Sequence, residues 1–217
     1  MEECSRQTAF FHLMSGIFVI LRRMNIEIHS DWRQRLRVTL SGYLVTAYAD
    51  ELHHDEQGIE EVCEIMFNTE DRRMSRNAAW VLAHLSPEDK NIYLISRYDE
   101  LADFAMSPVK HENRGLLFAI LIDFPCCPEF RTDLFDFCLH HIADAKMSNS
   151  CRSYMIKLAT RMCIPYPELA SELVLCLEML PPGLPASVDS ARRSALRELK
   201  KIGCKIDWKG YIDGTVF

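Results

Sequence analysis

The chain has 217 residues, 48% hydrophobic and 26% charged, ordinary values for a globular protein with room for one core of useful size. Only eight glycines disfavour a fold of many short strands and tight turns, and a net charge of −6 argues against non-specific binding of nucleic acid. The nine cysteines are odd in number and form no Cys-x-x-Cys pair, so they read as the reduced, small apolar residues of a cytoplasmic protein rather than a disulfide framework.

In chain order, Phe10 to Leu21 is an apolar run too short to span a bilayer, and it lacks the basic start and cleavage site of a signal peptide. Residues 1–29 are therefore an N-terminal apolar segment or an extra capping helix, with Met24 an alternative start, and no membrane role is expected. A first long helix is predicted from Trp32, Leu36, Leu40, Tyr43, Leu44 and Ala47. Helical stripes follow at Ile59, Val62, Cys63 and Met66; at Ile92, Ile95, Tyr98, Leu101, Ala102 and Ala105; at Phe130, Leu134, Cys138 and Ile142; and at Leu169, Leu173, Leu177 and Leu180. Breaks are expected at 70–73, 107–108, 148–150 and 181–185.

Two markers recur along this series. Arg37, Arg76, Arg114, Arg152 and Arg193 are spaced 39, 38, 38 and 41 residues apart, and each is followed by a similar apolar pattern. Pro-Glu recurs out of phase at Pro87-Glu88, Pro128-Glu129 and Pro167-Glu168, where Pro suits the first helical position and Glu the positive end of the helix dipole. Each repeat thus holds two helices, one opening at Pro-Glu and one carrying the Arg.

Two helices per repeat of about 40 residues, with an Arg early in the second, resembles the HEAT/armadillo class over roughly residues 30–203. The resemblance implies an all-α, right-handed α-α superhelix, a HEAT-like solenoid of about five helical hairpins. A single repeat domain then spans 30–205, followed by a C-terminal tail at 206–217. The chain departs from the HEAT pattern in having no Asp at a fixed place before each Arg: Asp71, Glu112 and Asp189 stand at three different offsets.

Counted from each Arg at 100° per residue, Ala78, Ala79, Leu82 and Leu85, with their counterparts Leu116, Leu117, Ile120 and Phe124, and Tyr154, Met155, Leu158 and Met162, gather on a core face. Trp80, Phe118, Ile156 and Arg197 fall at the contact between repeats. The opposite row holds Asn77, Val81, His84, Gly115, Ala119, Ile122, Ser153, Lys157, Thr160, Ser194, Glu198 and Lys201. Second helices line the concave surface in solenoids of this class, so this mixed-polarity row is the expected binding groove.

No catalytic residue, cofactor or metal ligand is expected. The repeating arginines are read as structural, binding the neighbouring repeat, and Trp80 as packing. His53-His54 and His140-His141 are adjacent pairs, which on a helix point about 100° apart and do not chelate. Cys126-Cys127 precedes a helix start, and the stretch from Ser190 is locally basic through Arg192, Arg193, Arg197, Lys200, Lys201, Lys205 and Lys209. No Gly-rich phosphate loop, Gly-x-Ser-x-Gly elbow or His-Glu-x-x-His occurs.

These features point to a non-enzymatic scaffold or adaptor that binds a protein or peptide on its concave face. The HEAT-like alkylpurine DNA glycosylases are similar in length and architecture and stand as the alternative. They imply a basic, aromatic groove, against which the acidic chain and near-neutral groove row speak. An all-α lyase of the adenylosuccinate lyase type ranks third, because Met106-Ser107-Pro108-Val109-Lys110 lacks the serines and Asn of the signature loop.

Overall fold

The computed structural model describes residues 31–68, 70–108, 113–124 and 130–202. The chain divides into two units, Met1–Asp31 and Trp32–Phe217, and the described residues after Asp31 belong to the second. The apolar segment 1–29, Cys126-Cys127, Pro128-Glu129 and the tail 206–217 lie outside the described residues.

The second unit is an all-α solenoid. Its α-helices are α1 Trp32–Arg35, α2 Gly42–Glu51, α3 Glu56–Phe67, α4 Arg72–His84, α5 Tyr98–Met106, α6 Arg114–Ile122, α7 Thr132–Ile142, α8 Asn149–Met162, α9 Ala170–Glu178 and α10 Ala186–Lys201. No strand occurs among the described residues. Hairpins α3/α4, α5/α6, α7/α8 and α9/α10 stack so that α2, α4, α6, α8 and α10 form one continuous layer and the first helices the other. Caps set the starts: Ser41, Asp55, Asp71 and Ser148 each accept a backbone N–H from the first turn of α2, α3, α4 and α8. Ser86 caps a short turn with Pro87 at its first position.

The expected stripes of α3, α7 and α9 are buried, as are Ala78, Ala79, Leu82, Leu117, Ile120, Met155 and Leu158 on the second helices. Two elements differ from expectation. The first long helix is broken after α1, because the β-branched Val38 and Thr39 and the capping Ser41 favour leaving the helix before Gly42. Tyr43 is consequently exposed, and Val45 and Ala49 take the core positions. Between Ser86 and α5 the chain passes through a π-helical turn, Lys90–Leu94, and a 3₁₀ turn, Ile95–Arg97. The wider turn advances the register, so Ile92 is exposed and Leu94 is buried in its place.

The two helices of each hairpin are joined at a repeated point, within the repeat rather than to the neighbouring one. The last turn of a helix leaves carbonyls without intrahelical donors. Here the second helix supplies them: Arg114 Nε donates to the Ala105 carbonyl at 2.8 Å, Arg152 Nε to Ile142 at 2.7 Å and Arg192 Nε to Leu177 at 2.8 Å. In α4 the same place is taken by Ser75, whose hydroxyl donates to the Met66 carbonyl. The equivalent residues are therefore Ser75, Arg114, Arg152 and Arg192. Arg76 and Arg193, aligned with them on sequence, stand one residue out of phase and are exposed, and Arg37 lies in an exposed turn after α1.

The first-helix layer carries a second ladder. Arg97, just before α5, reaches back to Glu60 and Glu64 of α3 as well as to Glu100. Arg131, just before α7, reaches back to Asp99 and Asp103 of α5 as well as to Asp133. These carboxylates, Glu100 foremost for Arg97 and Asp133 for Arg131, hold both guanidiniums above their usual range. The regular acid–Arg series missing before the second helices thus exists on the first ones.

At the turn after α2, His53 Nδ1 bonds the buried Asp89 Oδ2 at 2.8 Å, and the His54 N–H donates to Oδ1 at 3.2 Å. The hydrogen bond to Asp89 raises the His53 pKa, burial notwithstanding. Burial pushes the Asp89 carboxyl up, but the bonds from His53, Ser86 and the His54 amide outweigh it and leave its pKa lowered.

Two outcomes follow for stability. Arg152→Met removes a charged donor from a buried carbonyl and is expected to cost about 2 kcal/mol in denaturant unfolding. Arg192→Met should cost more than Arg193→Met, which is expected to stay within about 0.5 kcal/mol of the parent. Equal losses at 192 and 193 would restore the sequence register. The raised His53 pKa stabilises fully below about pH 6.5 and is lost as pH rises through the folded value, and the lowered Asp89 pKa stabilises above about pH 4 and is lost as pH falls. The melting-temperature advantage of the parent over His53→Gln should therefore peak between those limits and shrink toward pH 8. An advantage constant from pH 5 to pH 9 contradicts this.

Candidate functional site

The twelve residues of the expected groove do not form one open row. Asn77, Val81, Ser153 and Thr160 are buried. Asn77 Nδ2 donates to the carbonyls of Leu36 and Val38, both at 2.9 Å, satisfying the chain where it leaves α1. Ser153 and Thr160 return their hydroxyls to the carbonyls of Asn149 and Ile156 in their own helix. Gly115 faces α8, where an added Cβ would meet Cys151 Cα at 3.7 Å, so it belongs to a helix–helix seam. Ala119, Ile122 and Ser194 are half-buried, and His84, Lys157, Glu198 and Lys201 are exposed.

The one-residue correction of the arginine register changes which residues share a face. Measured from Ser75, Arg114, Arg152 and Arg192, the fifth position along each second helix holds Trp80, Ala119, Lys157 and Arg197. All four are exposed or half-buried. Around them stand Arg76 and His84 on α4, Leu116 on α6, Tyr154 on α8, and Arg193 and Lys201 on α10, none of them fully buried. Trp80 meets His84 edge-on, with ring centroids 6.3 Å apart, and the Lys157 ammonium lies 5.4 Å from the Tyr154 ring. Arg161, beside them, is committed to the carbonyls of Ile122 and Phe124.

Charge is divided between the two layers. Helices α3, α5, α7 and α9 contain no Lys or Arg. Helices α4, α6 and α8 contain no Asp or Glu, and α10 sets Arg192, Arg193, Arg197, Lys200 and Lys201 against Asp189 and Glu198. From α3 onward the acids thus lie mostly on the first helices and the cations on α4, α8 and α10, while α1 carries Arg33 and Arg35 and α2 carries Asp50 and Glu51. The reading of the second-helix face as near-neutral rested on the shifted register. Its middle is not basic, since α6 contributes only small and apolar residues there: Gly115, Leu116, Ala119 and Ile122.

The remaining sequence candidates find structural places. Each ring of His140 and His141 donates from Nδ1 to a carbonyl one turn earlier, Asp136 and Phe137. His53-His54 does not lie on a helix, so the angular argument against joint ligation does not apply to it: both follow α2 in a turn where His54 has φ +60°. No helix among the described residues is long and apolar enough to cross a membrane.

A family model described as a HEAT repeat domain matches residues 32–199, most of the chain and all but the ends of the described helices. No curated protein and no solved structure matches the chain.

Burial pushes the Cys63 thiol up to about 12 and the Cys151 thiol up to about 11. Thiolate nucleophiles need the opposite environment. Native alkylation at pH 8 followed by mass spectrometry should leave Cys63, Cys138, Cys151 and Cys163 unmodified, and labelling of Cys63 within minutes contradicts this packing.

Proposed function

Because the chain belongs to the HEAT repeat domain family, we propose that it is a helical-repeat scaffold whose second-helix face binds an acidic segment of a partner protein. The observation that carries this reading is the separation of charge between the layers. On α4, α8 and α10 the cations outnumber the acids, which are confined there to Asp189 and Glu198, and complementary charge steers and selects a partner. The pattern along the face favours a peptide over a nucleic acid. Cations cluster at its two ends, with Arg76 on α4 and with Lys157, Arg193, Arg197 and Lys201 on α8 and α10. The α6 strip between them is apolar, which would interrupt a track of phosphates and suits a segment with an apolar centre and acidic flanks.

Trp80 and Tyr154 beside those cations favour nucleic acid as the second reading, because aromatic faces stack on bases. Affinity capture with a C-terminal tag, with and without nuclease, separates the two. A discrete acidic protein that survives nuclease is expected. Arg76→Glu, Lys157→Glu and Arg197→Glu together should weaken its binding by about tenfold or more, mostly through slower association at low salt, while thermal unfolding stays near the parent's. Recovery of nucleic acid, lost on nuclease treatment and at raised salt, moves the assignment to the second reading.

A further inference from the structure

We propose that His53, His54 and Asp89 form a binding site for a single divalent transition-metal ion of the zinc type. One ligand atom from each residue can be chosen so that all lie within 4.8 Å of one another. Asp89 is 1% exposed and stands at the start of the π-helical turn, yet its carboxylate is turned toward the two imidazoles. Oδ2 is held by the Ser86 hydroxyl at 2.7 Å, and Oδ1 by the His54 N–H at 3.2 Å. The ligand is therefore oriented before any ion arrives, as carboxylate ligands usually are by their surroundings.

The geometry exceeds what a hydrogen-bonded pair needs. His53 and the Ser86 hydroxyl together satisfy Asp89 Oδ2, at 2.8 Å and 2.7 Å. His54 adds Nδ1 at 3.4 Å from Oδ1, long for a hydrogen bond. Ligand atoms about 2.1 Å from a shared zinc ion are separated by about 3.0 Å at a right angle and about 3.4 Å at the tetrahedral angle. The observed 2.8 Å and 3.4 Å run to the two different oxygens of Asp89, so the exposed rings must close by a fraction of an ångström around a bound ion. His54 holds its place with φ +60°. That conformation is uncommon for a residue with a Cβ and typical of constrained sites. The rings lie 3.7 Å apart, centroid to centroid, tilted by 31° and half exposed, so solvent reaches the open side.

Two imidazoles and one carboxylate are a donor set that suits zinc and its neighbours over calcium or magnesium, with water completing the shell. A bound ion would tie the turn after α2 to the start of the next hairpin. The buried thiols do not compete, since Cys63 and Cys151 are held protonated.

The test uses the full chain carrying no histidine tag, stripped of metal, and Co2+ as probe. One equivalent is expected to bind with visible d–d absorption and no near-ultraviolet thiolate charge-transfer band, and Zn2+ should displace it. Thermal unfolding should shift upward with Zn2+ concentration. The His53→Ala/His54→Ala variant, checked by circular dichroism, should bind Co2+ about tenfold or more weakly and lose the shift. If that variant does not fold, the spectrum of the parent decides. Absence of Co2+ uptake by the parent, a thiolate band, or equal affinity in the folded variant each overturns the site.

Discussion

A helix ends in carbonyls that its own backbone does not satisfy, and in a two-layer stack those ends are partly shut off from water. In this chain the second helix of each hairpin supplies the missing donor from one place in its first turns: Ser75, Arg114, Arg152 and Arg192. The bond sets the depth at which the two helices lie against each other. A guanidinium there also meets the negative end of the first helix's dipole. Arg114 extends the arrangement by donating to Ser107 and standing 5.2 Å from the Phe137 ring of the next hairpin. Burial lowers its pKa, which measures the cost of placing a cation there.

The first helices are acidic whether their partner helix bonds them through Arg114, Arg152 and Arg192 or, in α4, through Ser75. Their carboxylates are gathered by Arg97 and Arg131, each reaching one hairpin back along the layer. The exposed pairs of this ladder contribute little apiece to stability. Their effect is to neutralise the first-helix layer locally, while the cations of α4, α8 and α10 that are not bound inward remain on the other face. Charge separation between layers therefore does not depend on which donor, Ser or Arg, joins each pair of helices.

The fold was largely legible in sequence because it rests on periodicity. The stripes at Ile59–Met66, Leu134–Ile142 and Leu173–Leu180 bury as their spacing requires. The departures in α4 and α10 have one cause: an arginine one residue along a helix looks identical in a string. Arg76 and Arg193 were aligned where Ser75 and Arg192 do the bonding, and a 100° rotation turned buried Asn77 and Val81 into groove residues. It also hid Trp80 and Arg197 from the exposed face. The π turn at Lys90–Leu94 has no period of its own, so Ile92 was given a core position that Leu94 holds.

What the sequence determined by itself is the class of element and its repeat: 3.6-residue stripes, capping Ser and Asp residues and a period near 40 residues admit a stack of helical hairpins and little else. These are local facts, read from neighbours a turn apart. What only the tertiary structure decided is which donor meets which carbonyl, and hence the rotation of each helix. Hydrogen bonds between residues 9 to 41 positions apart depend on how layers pack, and periodicity says nothing about them. The meeting of His53, His54 and Asp89 is of the same kind: His53 and Asp89 lie 36 positions apart, and His54 in the turn between them has a left-handed backbone.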